Sequence, residues 1–479
     1  MDPSFQEESW LGSPSRLQLG RHWLERCQTH HRRCRAWTTD NSPLPTRVID
    51  VGSIEGTEQP VLHESRAGET APYLALSHSW GKAQILMTTT ETLEERKRGI
   101  PLDRMPRTFR DAVVVTRSLG FRYLWIDSLC ILQNDQDDWR NEAGKMGLVY
   151  RHAAVTIVAA ASTGADSGCF QQLRDGSVFP CKIGTVSLPA SACAQHSAHA
   201  ISVYAHSSYP RTPMGRDDAF RPRGPLDDRG WVLQEELLSG RMLVFSSHGL
   251  FWECSGMDAS EFLPFGKKPL GGRATLTRLG SSIRPASVSL QLASPPMRYA
   301  LNFKRYVSWA ESGQHSLEFR RKYFYAAWKE IVENYTSRAL TIENDRYVAI
   351  QGLVDAVSPS LEDSCYAGLW VSDLASQLLW RVDEQKVELS PCPHCGTHAG
   401  IRRTRRERRK SEPIGSPSWS WAGVNQRVTY SDARCVTTLV TLRGLAVWQQ
   451  DVFNNVIARL TMSAMLVPVR LPTDGGTES

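Results

Sequence analysis

Asp127 and Glu142 are carboxylates set in a stretch otherwise written for burial, YLWIDSLCILQNDQDDWRNEAGKMGLVYRHAAVTIVAAA at Tyr123–Ala161. Carboxylates in such a setting can hold a polar ligand or stabilise positive charge that develops on it. Cys130 lies beside Asp127, near an expected helix start where a thiolate is favoured, and His78 is its only nearby candidate base. The competing reading of Cys130 is a buried free thiol that packs as a small apolar group. Ser77, His78 and Trp80 end another apolar run, YLALSHSWG. They read either as ligand-binding groups or as turn residues followed by a core tryptophan. Glu142 has its own plain alternative, a helix-surface ion pair with Lys145 three positions on or with Arg151.

The elements that must position these side chains follow from local pattern. Tyr123–Ile126 is too short for a helix and rich in strand formers, so Asp127 stands where a strand ends. Asn134 to Asp138 offers N-caps and negative charge for a helix start. Trp139, Glu142, Met146 and Val149 or Tyr150 recur at spacings of three and four, so the helix should run to about Tyr150. Ala154–Ala161 reads as a second buried strand. Strand, helix, strand makes a parallel crossover, and the expected fold is α/β, a mainly parallel sheet with flanking helices. Tyr73–Ser77 is the first core strand, Thr108–Leu119 a helix with Gly120 as its C-cap, and Arg47–Val51 an edge strand. Ligands in open α/β sheets collect beyond the carboxyl ends of strands. Two such ends, after Ser77 and after Ile126, carry polar groups, which makes one shared site the economical reading.

Three ordered segments carry a resemblance: YLALSHSWG at 73–81, WIDSLCILQND followed by DDW, and DDRGWVLQEELLSGRMLVF at 227–245. Together they resemble the fungal heterokaryon incompatibility (HET) domain. The match is tightest over 73–254 and continues loosely into YTSRALTIENDRYVAIQGL, YAGLW and PSWSWAG. The resemblance implies a role in non-self recognition and programmed cell death, through a module that signals by self-association or by protein partners. HET domains have also been thought similar to TIR domains, whose core is flavodoxin-like and some of which cleave NAD with a helix glutamate. That likeness implies an alternative, an NAD glycohydrolase with NAD as substrate and no bound cofactor. Glu142 and Asp127 would then be catalytic, with Ser77, His78, Trp80 and Cys130 lining the substrate site. An aromatic surface for nicotinamide would come from Trp80 or Trp139.

The organisation expected along the 479 residues is a lead-in over 1–72, the HET domain over 73–254, a linker over 255–298 and a helical and β region over 299–479. Activity should then reside within residues 1–260. With 41% hydrophobic and 22% charged residues the composition is that of a soluble globular protein. The acidic start, MDPSFQEESW, lacks an apolar core, and no run approaches the ~20 residues of a membrane helix. Eleven cysteines without framework spacing read as reduced thiols, so the expected place is the cytoplasm, away from membranes. Net charge is +6, but Arg402–Lys410 alone supplies 7 − 1 = +6, so the rest is neutral and no basic face for nucleic acid is implied. Cys27, His30, His31 and Cys34 are close in sequence, as are Cys392, Cys395 and His398. Neither set supplies two CxxC pairs, and no metal site is expected.

Overall fold

The computed structural model describes residues 10–32, 34, 42–53, 58–81, 85–172, 181–188, 199–205, 223–267, 315–383, 419–430, 440–450 and 456–464, with isolated positions from 303 to 313 and at 417. Helix α1 (Pro14–His30) leads into strands β1 (Arg47–Asp50), β2 (Val61–Glu64) and β3 (Tyr73–Ser77). Helices α2 (Leu93–Arg98) and α3 (Arg107–Ser118) precede β4 (Tyr123–Trp125), a one-turn α4 (Asp127–Cys130), the long α5 (Gln136–His152) and β5 (Val155–Val158). A separate hairpin follows, β6 (Cys181–Leu188) with β7 (His199–Ala205). Then come α6 (Gly230–Leu238) and strands β8 (Arg241–Ser246), β9 (Gly249–Cys254), β10 (Asp258–Ser260) and β11 (Leu263–Lys267).

Nine strands form one sheet in the order β11-β10-β9-β8-β5-β3-β4-β1-β2. The four at its centre, β8-β5-β3-β4, are parallel, and antiparallel strands extend it on both sides. By order of appearance the central strands run 2-1-3-4 from β4 to β8, the arrangement of flavodoxin-like doubly wound sheets. Every residue of β3 and β5 is buried, which explains their unbroken apolar sequences. Arg47–Asp50 lies inside the sheet and not at its edge, because β2 pairs along its outer side. The sheet also runs on through β10 and β11, inside the segment expected as linker.

The expected start of α5 is seen in detail. The Asp135 side chain accepts hydrogen bonds from the amides of Asp137 and Asp138 at 2.9 and 3.0 Å, the usual work of an N-cap. Asp138 in turn pairs with Arg47 and accepts the Leu132 amide at 2.8 Å, fixing the helix start against β1.

The helical and β region behind the sheet shares its core. One buried apolar cluster runs from Leu11 to Val428 and takes in Leu233 and Leu237 of α6 with Trp328, Trp370 and Trp421. Helices Leu317–Thr336 and Val348–Leu361 bring these contacts. At the closest crossing a Cβ on Gly147 of α5 would stand 2.8 Å from the Gly352 Cα, so glycine is what lets the two backbones meet. Gln234 of α6 accepts the Gly352 amide at 2.8 Å. Arg338 forms a 2.9 Å ion pair with Glu236, their side chains only 1% and 5% exposed. Among the described residues no helix is long and apolar enough to cross a membrane. Cys392, Cys395, His398 and the basic run Arg402–Lys410 lie outside the described residues.

Candidate functional site

The chain leaves β3 at Ser77 and turns back over the sheet. Gly81 makes this turn, with φ at +76°, and a Cβ there would lie 2.8 Å from the Cα of Gly164 in the loop after β5. Only glycine meets both demands at once. The turn lays Trp80 across the end of β4, where its Nε1–H donates to Asp127 Oδ2 at 2.8 Å. The other oxygen, Asp127 Oδ1, accepts the Ser128 amide at 2.7 Å, and His78 Nε2 stands 3.8 Å from it. The Asp127 side chain is 23% exposed, whereas that of His78 is 1% exposed and packs edge-on against Phe109 at 5.1 Å. Burial holds the His78 imidazole below its ordinary pKa; Asp127 opposes the shift and Arg229 adds to it.

The third motif reaches the same place. A short turn at Pro225–Asp228 is closed by the Gly224 amide donating to Asp227 Oδ2 at 2.7 Å. Arg229 then donates to the His78 carbonyl at 2.7 Å. Helix α6 starts at the next residue and carries Glu235 into the interior. Burial pushes the Glu235 carboxyl up to about 7; Ser77 and Arg229 oppose the shift, while the negative charge of Asp127 adds to it. Tyr150 of α5 closes the far side, its hydroxyl donating to the Leu76 carbonyl at 3.2 Å. Among the described residues Ser77 Oγ, both ring nitrogens of His78 and Glu235 Oε2 are buried without a well-aligned hydrogen-bond partner, although Ser77 and Tyr150 lie close enough to the Glu235 carboxyl to oppose its shift. Native interiors rarely leave such groups unpaired. Their concentration at one end of β3 is characteristic of a site that takes a polar ligand.

Of the side chains singled out from sequence, Ser77, His78, Trp80 and Asp127 therefore stand together. Cys130 is wholly buried, accepts the Ile126 amide at 3.5 Å, and has its thiol pushed up to about 12 by that burial. It is a core residue. Glu142 is also buried, but its carboxylate is held by the Thr46 hydroxyl at 2.7 Å, the Asn141 amide at 2.9 Å and Lys145 at 3.1 Å. The plain ion-pair alternative, three positions on, is what forms, and the Thr46 bond ties α5 to the residue before β1. Glu235 did not stand out in sequence, although GWVLQEELL is apolar around most of its circumference and so pointed to a covered helix.

A cluster of side chains of metal-ligating type, Cys27, His31, Cys34 and Cys254, gathers elsewhere in the fold. No curated protein and no solved structure matches the chain. The profile of the heterokaryon incompatibility protein (HET) family matches residues 73–235, from the first residue of β3 to Glu235 itself. Residues 73–235 thus carry the pattern of a heterokaryon incompatibility (HET) domain.

Proposed function

We propose that this protein acts in fungal non-self recognition and cell death as an NAD glycohydrolase of TIR-like type, working in the cytoplasm. The observation that carries the reading is the pair of unlike carboxyls at the ends of β3 and β4. Asp127 is partly exposed and hydrogen-bonded; Glu235 is buried and raised to about 7. Environments that push two carboxyls apart are how acid and base roles are divided in one pocket. The position also favours a nucleotide, since it lies beside the point where the strand order of the sheet reverses.

In this mechanism the Trp80 indole offers the flat surface for nicotinamide and its N–H orients Asp127. The C–N glycosidic bond breaks with its electron pair passing to the nicotinamide nitrogen, and the Asp127 carboxylate stabilises the cation left on the ribose. Water adds to that carbon and gives a proton to Glu235, which releases it to solvent; the products are nicotinamide, ADP-ribose and one proton. His78 and Ser77 supply hydrogen bonds to the ligand. Glu142 acts at a distance, as a positioning residue that fixes α5 on the residue before β1.

The test is release of nicotinamide by purified full-length protein, compared with Asp127→Asn. Turnover lost in a variant of unchanged circular dichroism supports the enzyme. Absence of turnover in a concentrated, self-associated wild type would favour a signalling module that works through self-association or protein partners.

A further inference from the structure

We propose that Cys27, His31, Cys34 and Cys254 form a structural zinc site that pins helix α1 to the end of β9. The four candidate ligand atoms, three Sγ and one imidazole nitrogen, all lie within 4.8 Å of one another. Helix α1 ends at His30, and His31 leaves it in extended conformation with its amide bonded to the Cys27 carbonyl at 3.2 Å. Cys34 closes the next turn by donating its amide to the His31 carbonyl at 2.9 Å. The spacing is thus Cys-x3-His-x2-Cys, with all three side chains wound about one point. The fourth comes from the last residue of β9, 223 positions beyond His31, and its Sγ stands 3.4 Å from His31 Nδ1. A tetrahedral zinc with Zn–S near 2.3 Å and Zn–N near 2.0 Å separates sulfur and nitrogen by roughly 3.5 Å.

Two further features fit a metal. Cys254 opens a tight turn in which its amide donates to Met257 at 3.0 Å, and a Cβ on the intervening Gly256 would come within 2.6 Å of His31 Cγ. Glycine there gives the imidazole room to lie against the turn. The buried Arg241 places its Nε 3.2 Å from Cys27 Sγ while donating to the carbonyls of Cys34 at 3.0 Å and Ala154 at 3.3 Å. Zinc with three thiolates and one neutral imidazole carries a net charge of −1, which this one guanidinium offsets. All four positions are filled by protein, and the three cysteines are buried, so the ion would stabilise the fold and not activate water. Sequence alone could not assemble the set, because it joined Cys27, His31 and Cys34 to His30 and left Cys254 in a distant strand.

The test begins with metal analysis of the full-length protein produced in zinc-supplemented medium, followed by replacement with cobalt(II). The proposal expects about one zinc per chain. It also expects a cobalt form with tetrahedral d–d bands and charge transfer of three-thiolate intensity. Cys254→His should keep cobalt and lose one thiolate's share of that intensity, and His30→Ala, an exposed neighbour, should match wild type. Zinc-free protein that also fails to take up cobalt, or a Cys27–Cys34 disulfide found by peptide mapping without reduction, would overturn it. Because the wild-type spectrum decides the question, a variant that does not fold leaves the test intact.

Discussion

Trp80 Nε1 donates a 2.8 Å hydrogen bond to Asp127 Oδ2 across 47 positions of sequence, so the turn after β3 and the end of β4 form one surface. The bond needs three things: an extended β3, the left-handed Gly81, and the short α4 that sets Asp127 upright beyond β4. Trp80→Phe keeps the aromatic face and removes only the N–H. Asp127 is exposed enough to recover a bond from water, so stability should fall by about 1 kcal/mol. Nicotinamide release should fall by about 10-fold as the carboxylate loses its orientation. Chemical denaturation and a turnover assay on the same preparation read both quantities.

Glu235 should impose a pH dependence on stability. Its carboxyl is raised from 4.5 to about 7 in the folded protein. The folded state therefore holds a proton that the unfolded state releases, and stability must fall as pH rises between those values. The contribution is fully present below 4.5 and lost through 7, amounting to roughly 3 kcal/mol for a group this buried. Glu235→Gln should flatten that limb and be the more stable protein at pH 8. Denaturation midpoints from pH 4 to 8 check the sign; parallel profiles for the two proteins would contradict it.

Truncation at residue 260 should not yield a folded HET core, contrary to the expectation from motif positions. The cut would uncover Leu233 and Leu237 and strip Glu236 of Arg338. Within the full chain, Arg338→Leu removes the 2.9 Å ion-pair partner of that buried carboxylate and should cost about 3–5 kcal/mol. Soluble, cooperatively melting 1–260 protein would show that the shared core is dispensable.

Gly352→Ala tests the helix crossing more gently. Its Cβ would fall 2.8 Å from the Gly147 Cα and 2.5 Å from Gln234 Oε1. One of these is backbone and cannot rotate away, so a loss of about 1–3 kcal/mol is expected. A thermal melt of unchanged midpoint would mean that α5 and the Val348–Leu361 helix separate easily.

Much of this was legible locally and some was not, for a physical reason. The strand Tyr73–Ser77, the cap at Asp135 and the meeting of His78, Trp80 and Asp127 all follow from short-range pattern plus the rule for strand ends. Glu235 was hidden because the groups around it, Ser77, Asp127 and Tyr150, come from elements some 85 to 158 positions upstream. In sequence it was one of three polar residues beside two arginines. Glu142 drew attention for the opposite reason: it is buried as its surroundings suggest, but its carboxylate is taken up by Thr46, the residue before the distant β1, and by Lys145. Cys254 is the same lesson at a larger separation.

The measurement that bears most directly on the account is nicotinamide release from NAD at pH 7 by full-length wild type, Asp127→Asn and Glu235→Gln. The account expects measurable turnover in wild type and a fall of about 100-fold or more in each variant, with circular dichroism spectra unchanged. Wild-type turnover that survives in both variants, or no turnover in wild type at any concentration, would contradict it.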